Sequence, residues 1–152
     1  MTRNTIDRLV IGIGNDFRRD DGVGLTVAQR IAERNLPGAR VVIGISEPAA
    51  LLDAWSGVAR VVVVDAVTGG NSDPGRIRRW TEPDLETSAV VSSHALGLAQ
   101  TCALGQALER MPDELVVFTV DVADTNHGIG FTPAVAAAVP KLVELIVAEL
   151  SR

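Results

Sequence analysis

Short apolar runs alternate along the chain with longer segments of helical periodicity. A short, continuous apolar run that ends in turn residues is typical of a buried strand in a parallel sheet. The clearest example is the Arg-Val-Val-Val-Val run at 60–64, with Asp65 at its carboxyl end. Comparable runs predict strands at 9–13, 40–43 and 115–122, and residues 76–80 predict an edge strand.

Helical periodicity appears between these runs. Val23, Val27 and Ile31 recur at four-residue spacing and predict the buried face of a helix over residues 22–34. Further helices are predicted at residues 47–55, at roughly 95–110 and from 132 onward.

The ends of the later helices carry local signals. Ser92-Ser93 could cap the third helix, and Thr132-Pro133 is a good N-cap and N1 pair for the last one, which we expect Pro140 to kink. Strands that alternate with helices predict an α/β fold, a three-layer α/β/α sandwich around a mostly parallel sheet of about five strands. Without repeats or linkers, residues 1–152 are expected to form one domain.

Composition and charge exclude several classes of protein. Hydrophobic residues make up 47% of the chain and charged residues 22%, which excludes disorder. A net charge of −5 without a basic cluster argues against a nucleic-acid partner. No apolar stretch suits a membrane span or a signal peptide, and Cys102 stands alone, so we expect a cytoplasmic protein without a disulfide framework or a membrane partner. The sequence does not indicate an oligomeric state.

The loop after the first strand is the segment that restricts the possible functions most. Its glycines, within residues 12–24, superficially suggest a dinucleotide-binding loop. The spacing is wrong, because seven residues ending in Asp20 and Asp21 intervene where a Rossmann fingerprint would enter its helix directly. Two carboxylates would also repel a pyrophosphate. Such a loop suits a cation or a polar substrate better.

Polar residues from three parts of the chain are expected at one edge of the sheet. Ligands of open α/β sheets bind outside the carboxyl ends of the strands. Asp16, Asp20 and Asp21 follow the first strand, Asp65 follows the third, and His94 lies at the entry to a helix. Two carboxylates and one imidazole are a competent ligand set for a divalent transition metal, with positions left open for water or substrate.

Each of these residues also has a structural interpretation. Asp20 or Asp21 could cap the following helix, Asp65 could cap a turn, and His94 could be a solvent-contacting residue of a first helical turn. Structural roles are also expected for His127 in a polar loop, for buried Cys102, and for the packing residues Trp55 and Trp80, although Trp80 could be exposed to a partner.

Four short segments are distributed along nearly the whole length of the chain. They are Gly12-Ile13-Gly14-Asn15 through Asp20-Asp21-Gly22-Val23-Gly24, Val63-Val64-Asp65-Ala66-Val67, Ser93-His94-Ala95-Leu96-Gly97-Leu98, and Gly130-Phe131-Thr132-Pro133. Together they resemble the hydrogenase maturation proteases, endopeptidases that trim the large subunit of nickel–iron hydrogenases.

The resemblance implies a twisted five-stranded sheet and a metal-contacting trio. Aligned from Gly14, the trio falls on Asp21, Asp65 and His94. It further implies that these residues contact nickel already inserted in a hydrogenase large-subunit precursor, which loses a short C-terminal extension after a basic residue. The nickel would be supplied by the substrate and not held permanently by the protease. It would serve as a checkpoint and could act as a Lewis acid on the scissile carbonyl or a bound water.

One position departs from the family pattern. Many members carry an acidic residue after the second strand, where this chain has Ile43, with Glu47 the nearest carboxylate. Glu47 could restore the charge or begin the next helix. This departure, and the absence of a Ser-His or Cys-His pair, leave a second hypothesis: a non-catalytic maturation chaperone that binds the nickel-loaded large subunit. A nucleotide-binding module is a third, supported by the glycines alone.

Overall fold

The computed structural model describes residues 7–14, 19–45, 47–67, 73–82, 93–123, 125, 126 and 128–152, with the backbone alone at 93–97. These ranges contain five strands in one sheet. The strands are β1 (Arg8–Gly12), β2 (Ala39–Ile43), β3 (Arg60–Val67), β4 (Ile77–Thr81) and β5 (Glu114–Asp121). Their order is β2-β1-β3-β5-β4, and all neighbours are parallel except β4, which runs antiparallel to β5. The predicted mostly parallel sheet is confirmed.

Helices cover both faces of the sheet. The described helices are a 3-10 turn at Arg19–Gly22, α1 (Val23–Glu33), α2 (Pro48–Trp55), α3 (Ser93–Ala107) and α4 (Pro133–Leu150). One core lies between the sheet, α1 and α4, and a second lies between the sheet, α2 and α3. The three-layer sandwich predicted from the alternation of elements is therefore confirmed.

Successive residues of the central strands divide between the two cores. In β3, Val62 and Val64 belong to the core under α1 and α4, whereas Val61 and Val63 belong to the core under α2 and α3. Because neighbouring side chains of a strand point to opposite faces, a strand covered on both faces is apolar at most positions. This coverage of both faces explains the continuous valine run.

Two elements, β3 and α3, have ends that differ by more than one residue from the sequence prediction. Strand β3 continues past 64 to Val67, because Asp65, Ala66 and Val67 each have a partner in β5. Helix α3 spans Ser93–Ala107 and not 95–110, and Glu109 adopts a left-handed φ of 56° just beyond its end. Helix α4 continues without a break through Pro140. The predicted cap residue Ser92 lies outside the described residues.

The described part of the chain holds no helix that is both long and apolar enough to span a membrane.

Candidate functional site

The amino end of α1 lies directly against the carboxyl ends of β1 and β3. A Cβ atom at Gly24 would stand 2.4 Å from the carbonyl oxygen of Ile13 and 2.6 Å from that of Val64. Only glycine allows a helix to approach backbone this closely. The Ile13 N–H also donates to the Val64 carbonyl at 3.0 Å. The 3-10 turn Arg19–Gly22 is therefore held at the corner where β1 ends and β3 carries Asp65.

Asp21 is half-buried in this turn. The turn passes so close to Gly14 that a Cβ there would stand 2.1 Å from the Asp21 carbonyl oxygen, and Gly14 adopts a φ of 147°. Gly14 and Gly24 therefore serve turn geometry and close packing. Gly22 occupies the N-cap position of α1, so the sequence alternative that an aspartate caps this helix is wrong.

Asp65 lies inside β3 and not after it, a correction to the sequence prediction, but it remains in the carboxyl half of the strand. Its side chain is 1% exposed, and Oδ1 accepts a hydrogen bond from the Ala66 N–H at 2.8 Å. By strand alternation it shares the sheet face of Val61 and Val63, which α2 and α3 cover. A buried carboxylate costs free energy unless its oxygens are hydrogen-bonded or paired with a charge.

Thr119 is the neighbour of Asp65 on β5 in the parallel register. Its hydroxyl accepts a hydrogen bond from the Trp80 indole N–H at 2.8 Å. Trp80 is partly buried against the core under α2 and α3, so its predicted edge packing is confirmed.

His94 lies in the first turn of α3, the helix layer that covers the Asp65 face. Its side chain is outside the described part of the structure. Among the side chains that are described, no group of three or more His, Cys, Asp or Glu residues could hold a metal ion. That search does not include the imidazole of His94, so the convergence of Asp21, Asp65 and His94 stays a prediction.

Asp20 has a different environment from Asp21. It is completely buried, and both of its carboxylate oxygens accept hydrogen bonds from the segment between β5 and α4. Oδ1 accepts from the Thr132 N–H at 2.8 Å; Oδ2 accepts from the Thr132 hydroxyl at 2.8 Å and from the Ala123 N–H at 3.0 Å. No local pattern in the sequence predicts this partnership between Asp20 and Thr132. Thr132 lies at the N-cap of α4, as predicted, but its side chain makes no capping hydrogen bond.

Several further predictions concern single side chains. Cys102 is buried, as expected, and Trp55 is fully buried with its indole N–H donating to the Arg110 carbonyl at 3.0 Å. Glu47 is exposed at the N-cap of α2, so it begins that helix, while Ile43 is 38% exposed at the carboxyl end of β2. Asp16 and His127 lie outside the described residues.

One further buried carboxylate was not singled out from the sequence. Asp121 ends β5, is 2% exposed and pairs with Arg78 at 3.1 Å. It also accepts a hydrogen bond from the Asp73 N–H at 3.1 Å. Its charge is balanced by the arginine and it fixes the turn before β4, which indicates a structural role.

The fold, with Asp21 and Asp65 near the carboxyl edge of the sheet, defines the class of protein: an α/β sandwich. Comparison with known proteins then identifies the family. The model of the hydrogenase maturation protease family (HycI) matches residues 25–149. Hydrogenase 2 maturation protease of Escherichia coli is 26% identical over 147 residues, covering 93% of this chain and 89% of that protein. The coenzyme F420 hydrogenase subunit delta of Methanothermobacter thermautotrophicus is 25% identical, covering 93% of each protein.

Solved structures agree with this assignment. The hydrogenase maturating endopeptidase HybD from E. coli superposes with a TM-score of 0.82 at 23% identity, covering 95% of this chain and 91% of that one. The NiFe hydrogenase maturation protease HybD from Thermococcus kodakarensis superposes with a TM-score of 0.75 at 25% identity, covering 95% and 99%. The chain belongs to the hydrogenase maturation protease family, and its enzyme class is that of a peptidase.

Proposed function

We propose that the chain acts in the cytoplasm as the endopeptidase that removes the C-terminal extension of a nickel–iron hydrogenase large-subunit precursor after nickel insertion. In this proposal Asp21, Asp65 and His94 contact the nickel that the precursor carries, and the chain holds no resident metal. The observation that carries it is Asp65, a buried carboxylate in the carboxyl half of β3 in a chain of this family.

The environments of the two loop aspartates support the choice of Asp21. Both oxygens of Asp20 are engaged by Ala123 and Thr132, and the side chain is buried. Asp21 is half-buried, so solvent and therefore a docked partner can reach it. A carboxylate that is bonded by backbone N–H groups, as Asp20 is, would have to lose those bonds to bind a metal.

The donor set also fits the chemistry. Carboxylate oxygens and a neutral imidazole suit a borderline divalent ion such as nickel. The first turn of a helix favours neutral imidazole, the form that binds a metal, because the positive end of the helix dipole disfavours the imidazolium. Peptide hydrolysis then requires a group that accepts the proton of the attacking water, and one of the two carboxylates would do so. The substrate's nickel would supply Lewis acidity at the scissile carbonyl.

Measuring the mass of a purified precursor after incubation with the protein tests this proposal. Nickel-loaded and nickel-free precursor are compared, each with and without the protein. Loss of the extension from the loaded precursor alone supports nickel-dependent processing. Cleavage of both forms contradicts the nickel requirement. An unchanged precursor mass together with a stable complex contradicts the protease function and favours the maturation chaperone. The observation that supports the chaperone is exposed Ile43, which stands at the carboxyl end of β2 in place of an acidic residue.

A further inference from the structure

The segment between β5 and α4 is attached to the 3-10 turn that carries Asp21. The Arg19 N–H donates to the Gly128 carbonyl at 3.1 Å, and the next residue, Asp20, accepts the hydrogen bonds of Ala123 and Thr132. These contacts join parts of the chain separated by as many as 112 residues. They hold the turn in addition to its close contact with Gly14.

We infer that Asp20 is a positioning residue for Asp21, and that Thr132 acts through it. This inference rests on the proposed function, because it gives Asp21 a task that requires a fixed orientation. Asp20 itself does not touch the substrate. Its carboxylate fixes the peptide unit from which Asp21 projects, while Gly14 lies against the Asp21 carbonyl oxygen.

The chemistry of the contact requires a carboxylate. Asp20 is fully buried, and an ion in such a place is tolerated only when its oxygens are hydrogen-bonded. Two backbone N–H groups and one hydroxyl meet this need, and the amino end of α4 adds the favourable dipole that anions find at helix N-termini. An asparagine would aim its amide NH₂ at either the Thr132 N–H or the Ala123 N–H, whichever way it turned. A side chain of the same shape but without a second acceptor oxygen therefore cannot replace Asp20.

The test uses Thr132, because Asp20 itself is buried and its replacement risks unfolding the protein. Thr132→Val keeps the shape and the backbone N–H but removes the hydroxyl donor to Asp20. Thr132→Ser keeps both donors and is the matched control. Cleavage of nickel-loaded precursor is measured at a temperature where every variant is fully folded by circular dichroism, and kcat and KM are determined separately.

We expect Thr132→Val to lower kcat by about ten- to a hundredfold, because a shift of a reacting group by about 1 Å costs up to roughly a hundredfold in rate. KM of Thr132→Val should change by less than about twofold, as expected when a variant removes only transition-state interactions. The control Thr132→Ser should keep the kcat of the wild type. An unchanged kcat for Thr132→Val, or a loss that follows the folded fraction alone, would overturn the inference.

Amide hydrogen exchange separates a failure of this inference from a failure of the proposed function. It is measured without substrate on the wild type and both variants. Thr132→Val should speed exchange of the Arg19 N–H by about tenfold relative to Thr132→Ser, while the Arg60 N–H, bonded to the Asp7 carbonyl at 2.9 Å, should not change. If the wild type leaves the precursor intact, the proposed function fails, and hydrogen exchange alone tests the inference. Faster exchange of the Arg19 N–H in Thr132→Val than in Thr132→Ser then supports the attachment of the turn through Thr132. Equal exchange in the two variants refutes it.

Discussion

Gly24 lies against the Val64 carbonyl so closely that a Cβ atom would stand 2.6 Å from its oxygen. This contact sets the distance between the amino end of α1 and β3, and so brings the Asp21 turn to the strand that carries Asp65. It involves backbone on both sides, so neither partner can yield by rotating a side chain.

The first prediction concerns this contact. Gly24→Ala should lower the free energy of unfolding by about 1–3 kcal/mol, because forcing atoms into a filled site displaces backbone, and this outweighs the better helix propensity of alanine. Urea denaturation measures the loss. Gln29→Ala at an exposed position of α1 is the control and should stay within about 0.5 kcal/mol of wild type. A Gly24→Ala protein as stable as the control would contradict the close packing.

The second prediction concerns the proposed nickel contacts. Asp65→Ala or His94→Ala should reduce processing of nickel-loaded precursor by at least about a hundredfold, the effect expected when a group in the reaction is removed, with little loss of stability. Cleavage rate and melting temperature are measured together. Asp53→Ala at an exposed site and His127→Ala at the other histidine are the matched controls and should process normally.

A collapse of thermal stability in both Asp65→Ala and His94→Ala, with activity lost only in proportion, would instead assign these side chains to structure. The isosteric variant Asp65→Asn distinguishes the two roles further. It keeps an acceptor for the Ala66 N–H but cannot carry the negative charge that nickel would require.

The third prediction concerns Ile43, which stands partly exposed where many family members have an acid. Ile43→Asp should raise KM for the protein's own precursor by about tenfold and leave kcat within about twofold. Apolar contact of one side chain contributes roughly 1.5 kcal/mol, about a factor of ten. Leu108→Asp, at a 52% exposed apolar side chain beyond the end of α3, is the control. An unchanged KM for Ile43→Asp would exclude this position from substrate recognition.

The fourth prediction concerns pH and Glu149, which is buried near the end of α4. Burial raises the pKa of this carboxyl, but hydrogen bonds and charges from Arg79 and Arg152 outweigh that effect and hold the pKa below its ordinary value of 4.5. The folded protein thus binds this proton more weakly than the unfolded chain. The stabilisation is complete above pH 4.5 and is lost as the pH falls through the lower pKa of the folded state.

Glu149→Gln should therefore lose stability at neutral pH and show a shallower decline in acid. Urea unfolding at a series of pH values from 7 down to about 3 measures this. Glu144→Gln is the matched control on the same helix, because Glu144 pairs with Arg34 at an exposed site, where ion pairs contribute little. Parallel curves for wild type and Glu149→Gln would contradict the linkage.

Local pattern determined much of the fold. The valine run predicted a strand buried on both faces, and the structure places alternate valines of β3 in separate cores. The spacing of Val23, Val27 and Ile31 predicted the inner face of α1, and all three are buried there. Periodicity succeeds here because burial on a helix or strand follows directly from the repeat of its backbone.

The hydrogen-bond partners of individual polar groups could not be predicted from local pattern. Local pattern did not distinguish Asp20 from Asp21, and only the family resemblance singled out Asp21; in the structure Asp20 is buried and bonded to Thr132, whereas Asp21 is half-buried. Local pattern also ended β3 at 64, whereas pairing with β5 extends the strand through Asp65. These outcomes depend on which distant segments pack together, and no local repeat encodes a hydrogen bond across 112 residues. The sequence by itself thus determined the elements and their buried faces, and only the tertiary structure decided which aspartate holds the loops together.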